Sequence, residues 1–231
     1  MSVKINAFIS TLNRELNSIA IPENGPIMSK YMKGHFPFFG VSAAPRRAIF
    51  HGMKKQLTSE LNAQEKRSFI LALYQENERE NHYIAIDFLN ALRKEEIDVS
   101  DGKLLHTLIT THSWWDSVDA IASNYLGRYI LKFPVEGADL IQEWRHSDNM
   151  WLRRSCLIHQ LKYGNETDFP LLISLINQFK HEKEFFIQKA IGWSLRQYSK
   201  FQPEAVRDFL HDSNIKGLAR KEAEKYLWTK Y

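Results

Sequence analysis

The sequence predicts an all-α protein, an α-solenoid of tandem helical repeats with a concave basic groove. Apolar residues recur at helical spacing along nearly the whole chain, and no hairpin dipeptide separates alternating apolar runs. An aromatic-then-charged pattern also returns every 35 residues. Repeats of about 35 to 45 residues, each with a helix pair, are typical of solenoids. We therefore expect one domain over 1–231, with N-terminal helices in 1–60 and core repeats in 61–231.

The helical elements follow from apolar stripes and helix-start signals. The spacing predicts two stripes, one of Ile70, Leu71, Leu73 and Tyr74 and one of Ile84, Phe88, Leu89 and Leu92. Three starts are predicted: Pro45 in a first turn, Asp148 or Asn149 as the cap of the helix that holds Trp151, and Gln202-Pro203 at the start of another helix.

Breaks between the helices are predicted from glycines and from one apolar segment. Gly127, Gly164 and Gly217 are expected to mark stops or turns, and 34–42 is expected to be an apolar loop between helices. The last helix is expected over 218–228.

The composition is that of a soluble globular protein. Of 231 residues, 44% are hydrophobic and 25% are charged, and no apolar run reaches the roughly 18 residues of a membrane-spanning helix. The N-terminus lacks the features of a signal peptide, and the single cysteine, Cys156, lies in an apolar run that favours buried packing. We expect a soluble cytoplasmic monomer.

The positive charge is concentrated in the C-terminal half. The net charge is +4, and residues 145–200 hold nine Lys and Arg against five acids, so this segment carries the whole surplus. Trp151, Phe185, Phe186 and Trp193 are interleaved with these cations, as on a nucleic-acid surface. A solvated helix face is the alternative interpretation.

Residues 113–121 combine indole rings with carboxylates. On a helix, Trp115 and Asp119 are four residues apart and share one face. An unpaired carboxylate is costly to bury, so this pair suits a cleft in which a flat ring orients a substrate and the carboxylate stabilises positive charge. The alternative is that Trp114 packs inward while Asp116 and Asp119 are solvated.

The 35-residue repeat aligns three charged residues. Successive shifts superpose Asp119, Arg154 and Lys189, each preceded by aromatic side chains. In a stack of repeats, equivalent residues line one groove at roughly the 8 to 10 Å spacing of packed helices.

Four stretches carry a resemblance to a known family. They are 113–119, 147–154 continuing to 160–163, 183–193, and Tyr31-Met32-Lys33 followed by 36–40. In these stretches the chain resembles the AlkD family of DNA alkylation repair glycosylases, which are built from HEAT-like helical repeats. The matching stretches span about 30–200, most of the chain.

The resemblance implies roles for individual residues. Asp119 matches the catalytic aspartate, Trp115 and Trp193 match the tryptophans that flank the deoxyribose of the lesion, and Arg154 matches the arginine that holds the backbone near that sugar. Tyr31 and Lys162 match further DNA-contacting positions, and Phe185 and Phe186 match aromatics behind the active face. We expect these four residues to belong to the DNA-binding surface, together with Lys33, Arg153, Lys189 and Arg196.

The implied activity is hydrolysis of the N-glycosidic bond of cationic N3- or N7-alkylated purines in double-stranded DNA, without base flipping. No Cys-x-x-Cys or His-Glu-x-x-His pair is present, so we expect neither a metal nor another cofactor. No lysine is placed as a Schiff-base nucleophile, which predicts a monofunctional enzyme. Two alternatives stay open: a non-catalytic binder of bent or damaged DNA, and a protein-binding HEAT scaffold.

Overall fold

The computed structural model describes residues 2–225 and 227. These residues form helices and loops and contain no β-strand, so the all-α prediction is confirmed. The helices are α1 Val3–Ser18, α2 Asn24–Tyr31, α3 Ala43–Glu60, α4 Ala63–Tyr74, α5 Arg79–Ala91, α6 Asp101–Thr110, α7 Trp115–Ala120, α8 Gly127–Lys132, α9 Pro134–Trp144, α10 Met150–Ile158, α11 Phe169–Phe179, α12 Phe185–Tyr198, α13 Pro203–Asp212 and α14 Gly217–Ala223.

The chain divides into two compact units, Met1–Glu96 and Ile97–Tyr231. The division of one domain at residue 60, expected from the sequence, stays a prediction. None of the helices in the described part of the chain is long and apolar enough to cross a bilayer.

The first unit is built on the two predicted apolar stripes. Ile70 and Leu73 on α4 and Phe88 on α5 are fully buried, and Phe69 meets Phe88 edge to face at 5.5 Å between ring centroids. α4 begins at a capping box in which Asn62 and Glu65 each bond the other's backbone N–H. The residues of the two predicted stripes are therefore buried, except Leu71, which is half-buried.

The apolar loop predicted over 34–42 is confirmed, since no helix covers these residues. The fully buried carboxylate of Glu80 accepts hydrogen bonds from the backbone N–H groups of Phe39, Gly40 and Val41 at 3.1, 3.0 and 2.9 Å. Gly40 has a φ of 91°, which favours glycine. A side chain on α5 thus satisfies three consecutive backbone donors of the loop.

In the second unit, residues 115–132 are helical throughout, and the segment Ile121–Leu126 between α7 and α8 is a π-helix. The prediction of a stop at Gly127 is wrong, because the helix continues through it. A Cβ atom there would lie 2.6 Å from the backbone oxygen of His159, so the glycine permits close approach to the end of α10.

Most of the other predicted boundaries of the second unit are confirmed. Asn149 caps α10 by accepting a hydrogen bond from the Trp151 N–H at 2.9 Å, and Pro203 is the first residue of α13. Gly164 and Gly217 have φ of 59° and 61°, as turn glycines do. Of the last helix expected over 218–228, α14 covers the part to Ala223, whereas residues 224, 225 and 227 are not helical and residues 226 and 228 lie outside the described residues.

Candidate active site

Asp119 and Arg154 form a two-point ion pair that ties α7 to α10. Nε of Arg154 donates to Oδ1 of Asp119 at 2.8 Å, and Nη2 donates to Oδ2 at 2.7 Å. The Arg154 side chain is 4% exposed and that of Asp119 is 16% exposed. The repeat pattern aligned these two residues, and the structure brings them into direct contact.

Arg154 also reaches α12. Its Nη1 donates to the backbone oxygen of Phe186, and the guanidinium carbon lies 5.9 Å from the centroid of the Phe186 ring. Three helices therefore meet at one buried cation, which fixes the orientation of the Asp119 carboxylate. In this structure the guanidinium of Arg154 is engaged within the protein.

The tryptophans expected to flank the lesion are half-buried on two of these three helices. Trp115 begins α7 and lies one turn before Asp119 on the same face. Trp193 lies on α12, seven residues and therefore about two turns after Phe186, on the same side of that helix. Both rings thus belong to helices that Arg154 contacts.

An aromatic cluster packs beside the ion pair. Its members are Trp114, Trp151 and Phe186, with centroid separations of 5.8, 5.3 and 5.0 Å. Trp114 packs inward as the alternative interpretation of this segment expected, yet Asp119 is paired rather than solvated. Phe185 meets Phe186 edge to face at 5.3 Å between ring centroids and is 55% exposed. The cluster supports the backbone oxygen that holds Arg154.

The π-helical segment Ile121–Leu126, which follows Asp119, is a local feature that no pattern in the sequence predicts. Ser123 Oγ donates to the backbone oxygen of Asp119 at 2.6 Å, and the Asn124 side-chain amide donates to that of Ala120 at 2.7 Å. Both bonds run from a side chain to the carbonyl four residues earlier, as Ser and Asn side chains do within helices. Single π turns within helices are frequent at functional sites.

The ionisation of Asp119 reflects opposing influences. Burial raises the pKa of the Asp119 carboxyl above its ordinary value of 3.8, and the negative charge of Asp116 adds to that rise, while the hydrogen bonds and charge of Arg154 lower the pKa. The net effect is to raise the pKa of the Asp119 carboxyl.

Elsewhere in this unit, burial raises the pKa of the Cys156 thiol to about 12. This buried cysteine therefore stays protonated at neutral pH, as expected of a packing residue.

The cations expected to contact DNA differ in their partners. Lys162 is exposed and donates to the side-chain oxygen of Asn124, an uncharged partner. Arg153 donates to the backbone oxygen of Ser147 at 2.7 Å and pairs with Glu182 at 3.2 Å. Lys189 and Arg196 both pair with one carboxylate on α14, that of Glu222.

Tyr31 and Lys33 belong to the first unit. Tyr31 is the last residue of α2 and is 68% exposed. Lys33 follows in the turn with a φ of 58° and is also exposed. The remaining proposed site residues all lie in the second unit. Within residues 2–225 and 227, no cluster of three His, Cys, Asp or Glu side chains could hold a metal ion.

Comparison with known proteins assigns the chain to a family. The family model described as DNA alkylation repair enzyme matches residues 12–227. A solved structure described as a predicted DNA alkylation repair enzyme from Enterococcus faecalis is 33% identical, with a TM-score of 0.82, and the match covers 91% of this chain and 98% of that one. Among curated proteins, none matches this chain.

A second solved structure, the crystal structure of AlkD2 from Streptococcus mutans, shares the fold. It is 14% identical, with a TM-score of 0.66, and the match covers 97% of this chain and 100% of that one. Both likenesses agree with the predicted all-α solenoid class. The extent of the family match, together with the relative at 33% identity, shows that the chain belongs to the DNA alkylation repair enzyme family.

Proposed function

We propose that this protein is a monofunctional DNA glycosylase that hydrolyses the N-glycosidic bond of N3- and N7-alkylated purines in duplex DNA. The observation that carries the proposal is the oriented carboxylate of Asp119. Arg154 holds it at two points, its side chain keeps 16% of its surface exposed, and Trp115 lies on the same helix face. A carboxylate held in this way suits the stabilisation of a developing cation.

The chemistry of the substrate requires little more than an oriented carboxylate beside the sugar. Alkylation at N3 or N7 places a positive charge on the purine, so the C1′–N9 bond breaks with its electron pair going to the base, which leaves neutral without gaining a proton. The sugar acquires oxocarbenium character, and water adds its oxygen to C1′ and loses one proton. Asp119 stabilises the cationic sugar and accepts the proton of that water.

Arg154 prepares the carboxylate for this role. A carboxylate has about four lone-pair positions, and the two hydrogen bonds from Arg154 use two of them. The remaining positions are available to the sugar or to water. The same pair lets a carboxylate stay ionised in a mostly buried site beside DNA, where an unpaired one would repel phosphate at about 4 Å by roughly 4 kcal/mol at an effective dielectric of 20.

The indole rings supply the remaining contact with the sugar. In the proposal the faces of Trp115 and Trp193 receive the positive edge of the deoxyribose, a cation–π contact worth about 0.5 to 2 kcal/mol for each ring. The phosphates are contacted by Lys33, Arg153, Lys162, Lys189 and Arg196, with Tyr31, Phe185 and Phe186 providing aromatic surface. Because the protein would recognise the deoxyribose and the phosphate backbone, the damaged base would stay stacked within the duplex.

Lesion choice tests this function. Duplexes with one flanking sequence and carrying 7-methylguanine, 3-methyladenine, a larger N7 adduct or hypoxanthine are incubated with the protein, and the free base is measured by chromatography. We expect release of the three cationic bases and little release of hypoxanthine, because a neutral base leaves no early cation for Asp119 to stabilise. Efficient hypoxanthine release with exclusion of the larger cationic adduct would indicate a base-reading pocket instead.

Replacement of either tryptophan separates catalysis from packing. Trp115→Ala and Trp193→Ala are each expected to slow 7-methylguanine release by about 2- to 30-fold, in line with a lost cation–π contact. Binding to undamaged duplex should change much less. Trp→Phe at the same positions keeps an aromatic face and serves as the matched control. Equal losses in excision and in binding would identify the two indoles as packing residues.

One observation favours a second candidate function. Both carboxylate oxygens of Asp119 already accept hydrogen bonds from Arg154, as they would in a purely structural tie between α7 and α10. A protein built on such a tie would bind bent or damaged DNA without cleaving the glycosidic bond. The adduct panel distinguishes the two candidates, because the binder would retain all four duplexes and release no base.

A further inference from the structure

Lys189 and Arg196 share one carboxylate. Both residues lie on α12, seven residues apart and therefore on one side of the helix. Lys189 Nζ lies 2.7 Å from Oε1 of Glu222, and Arg196 Nη1 donates to Oε2 of the same side chain. One acidic residue of α14 thus forms ion pairs with two of the cations that, in the proposed function, contact DNA phosphates.

The packing of α14 on α12 holds Glu222 in this position. Gly192 lies between the two cations, and a Cβ atom there would come within 2.5 Å of the Glu222 Cβ and 2.6 Å of the Ala219 backbone oxygen. Ala219 and Ala223 are buried on the facing side of α14. Small residues on both helices therefore allow the close approach that brings the Glu222 carboxylate between the two cations.

The geometry of these groups resembles that of an arginine and a lysine on a phosphate. Two acceptor oxygens of one anionic group are each bonded by a different cation, which is how adjacent cations bind one phosphate. The three side chains are partly exposed, at 37% for Lys189, 19% for Arg196 and 18% for Glu222, so solvent and ligands reach the cluster. The hydrogen bond from Lys189 is the main influence that lowers the pKa of the Glu222 carboxyl.

We propose that Glu222 is an intramolecular competitor of DNA phosphate, which holds Lys189 and Arg196 in the free protein and weakens binding to undamaged DNA. The inference rests on the proposed function, because it needs a DNA backbone to contact these cations. A duplex must displace Glu222 to gain the two contacts. Glu222 therefore sets the affinity with which the protein holds duplex DNA before a lesion is reached.

The test compares two charge-neutralising variants in the full chain. Glu222→Gln removes the competing charge, and Glu204→Gln is the matched control, because Glu204 pairs with a cation of its own, Arg207, on α13. Both variants change the net charge equally. Binding of an undamaged duplex is measured by fluorescence anisotropy between 50 and 200 mM salt, and melting temperatures confirm that each variant is folded.

We expect Glu222→Gln to bind undamaged duplex about three- to tenfold more tightly than the Glu204→Gln control at the low-salt end, the range expected when two partly exposed ion pairs no longer compete. The gain should vanish in a Lys189→Gln/Arg196→Gln background, as a double-mutant comparison requires when the three side chains act together. A structural role for Glu222 alone would lower the affinity instead. Glu222→Asp, which keeps the charge on a shorter side chain, should show a smaller gain in the same direction.

Three results would overturn the inference. Affinity of Glu222→Gln equal to or below that of the control would show that Glu222 does not compete with phosphate. A gain over the control that persists without Lys189 and Arg196 would show that Glu222 does not act through these two cations. Absence of salt-dependent duplex binding by the unchanged protein would remove the proposed function and this inference together, whereas the first two results leave the proposed function standing.

Discussion

Replacing Asp119 with Asn is expected to lower the release of 7-methylguanine from duplex DNA by about 100- to 1000-fold, the usual cost of removing one preorganised stabilising group. The amide keeps the size of the side chain and one acceptor for Arg154 but carries no negative charge. Affinity for undamaged duplex should be equal or slightly higher, because a charge that repels phosphate is lost. Single-turnover base release and duplex binding measure the two effects separately.

Asp116→Asn provides the matched control for this experiment. Asp116 lies three residues earlier on α7, so its replacement removes the same charge from the same helix while both hydrogen bonds from Arg154 to Asp119 are kept. The Asp116 charge raises the pKa of the Asp119 carboxyl, so its loss favours the ionised form of Asp119. We expect this variant to release base at close to the unchanged rate. If Asp119→Asn and Asp116→Asn behave alike, Asp119 has no part in the chemistry.

Replacing Arg154 with Ala is expected to reduce the free energy of unfolding by about 3 to 5 kcal/mol, because it leaves the mostly buried carboxylate of Asp119 without its partner. Arg153→Ala is the control. Arg153 is the adjacent residue, but it pairs with Glu182 at 3.2 Å in a more exposed position, and its loss should cost about 1 kcal/mol or less. Urea denaturation followed by circular dichroism compares the two. Equal and small losses would contradict the structural role assigned to Arg154.

The same replacement has a consequence for pH dependence. Burial already holds the pKa of the Asp119 carboxyl above 3.8, and Arg154 opposes that rise. Without Arg154 the pKa rises further, so the carboxylate needed for catalysis is protonated at a higher pH. The acid limb of base release should therefore move to higher pH in the remaining activity of Arg154→Ala. An unmoved limb would show that the limb does not report Asp119.

The sequence predicts much of the fold because its signals are local. Apolar spacing identified the α4–α5 core, and Asn149 and Pro203 marked helix starts through bonds and backbone angles that depend on adjacent residues. The 35-residue repeat aligned Asp119 with Arg154, and they prove to be in contact. Equivalent positions of stacked repeats lie next to one another. The 35-residue period is therefore enough to predict that Asp119 and Arg154 are neighbours.

The features that the sequence does not predict depend on contacts between residues that are distant along the chain. Gly127 was expected to end a helix, yet it lies within one because the His159 carbonyl approaches too closely for a side chain. The π-helix over Ile121–Leu126 has no pattern of its own in the sequence. The pairing of Lys189 and Arg196 with Glu222 was likewise missed, because Glu222 lies outside the stretches that carry the family resemblance.

The central claim is that this protein releases cationic alkylated purines from duplex DNA, and one measurement tests it most directly. Duplex DNA containing 7-methylguanine is incubated with the protein and, in parallel, without it, and the free base and the integrity of the strand are both followed. The proposal predicts release of free 7-methylguanine well above the spontaneous rate, with an abasic site left in an uncut strand. Retention of the duplex with release at only the spontaneous rate would contradict it and identify a binder of damaged DNA.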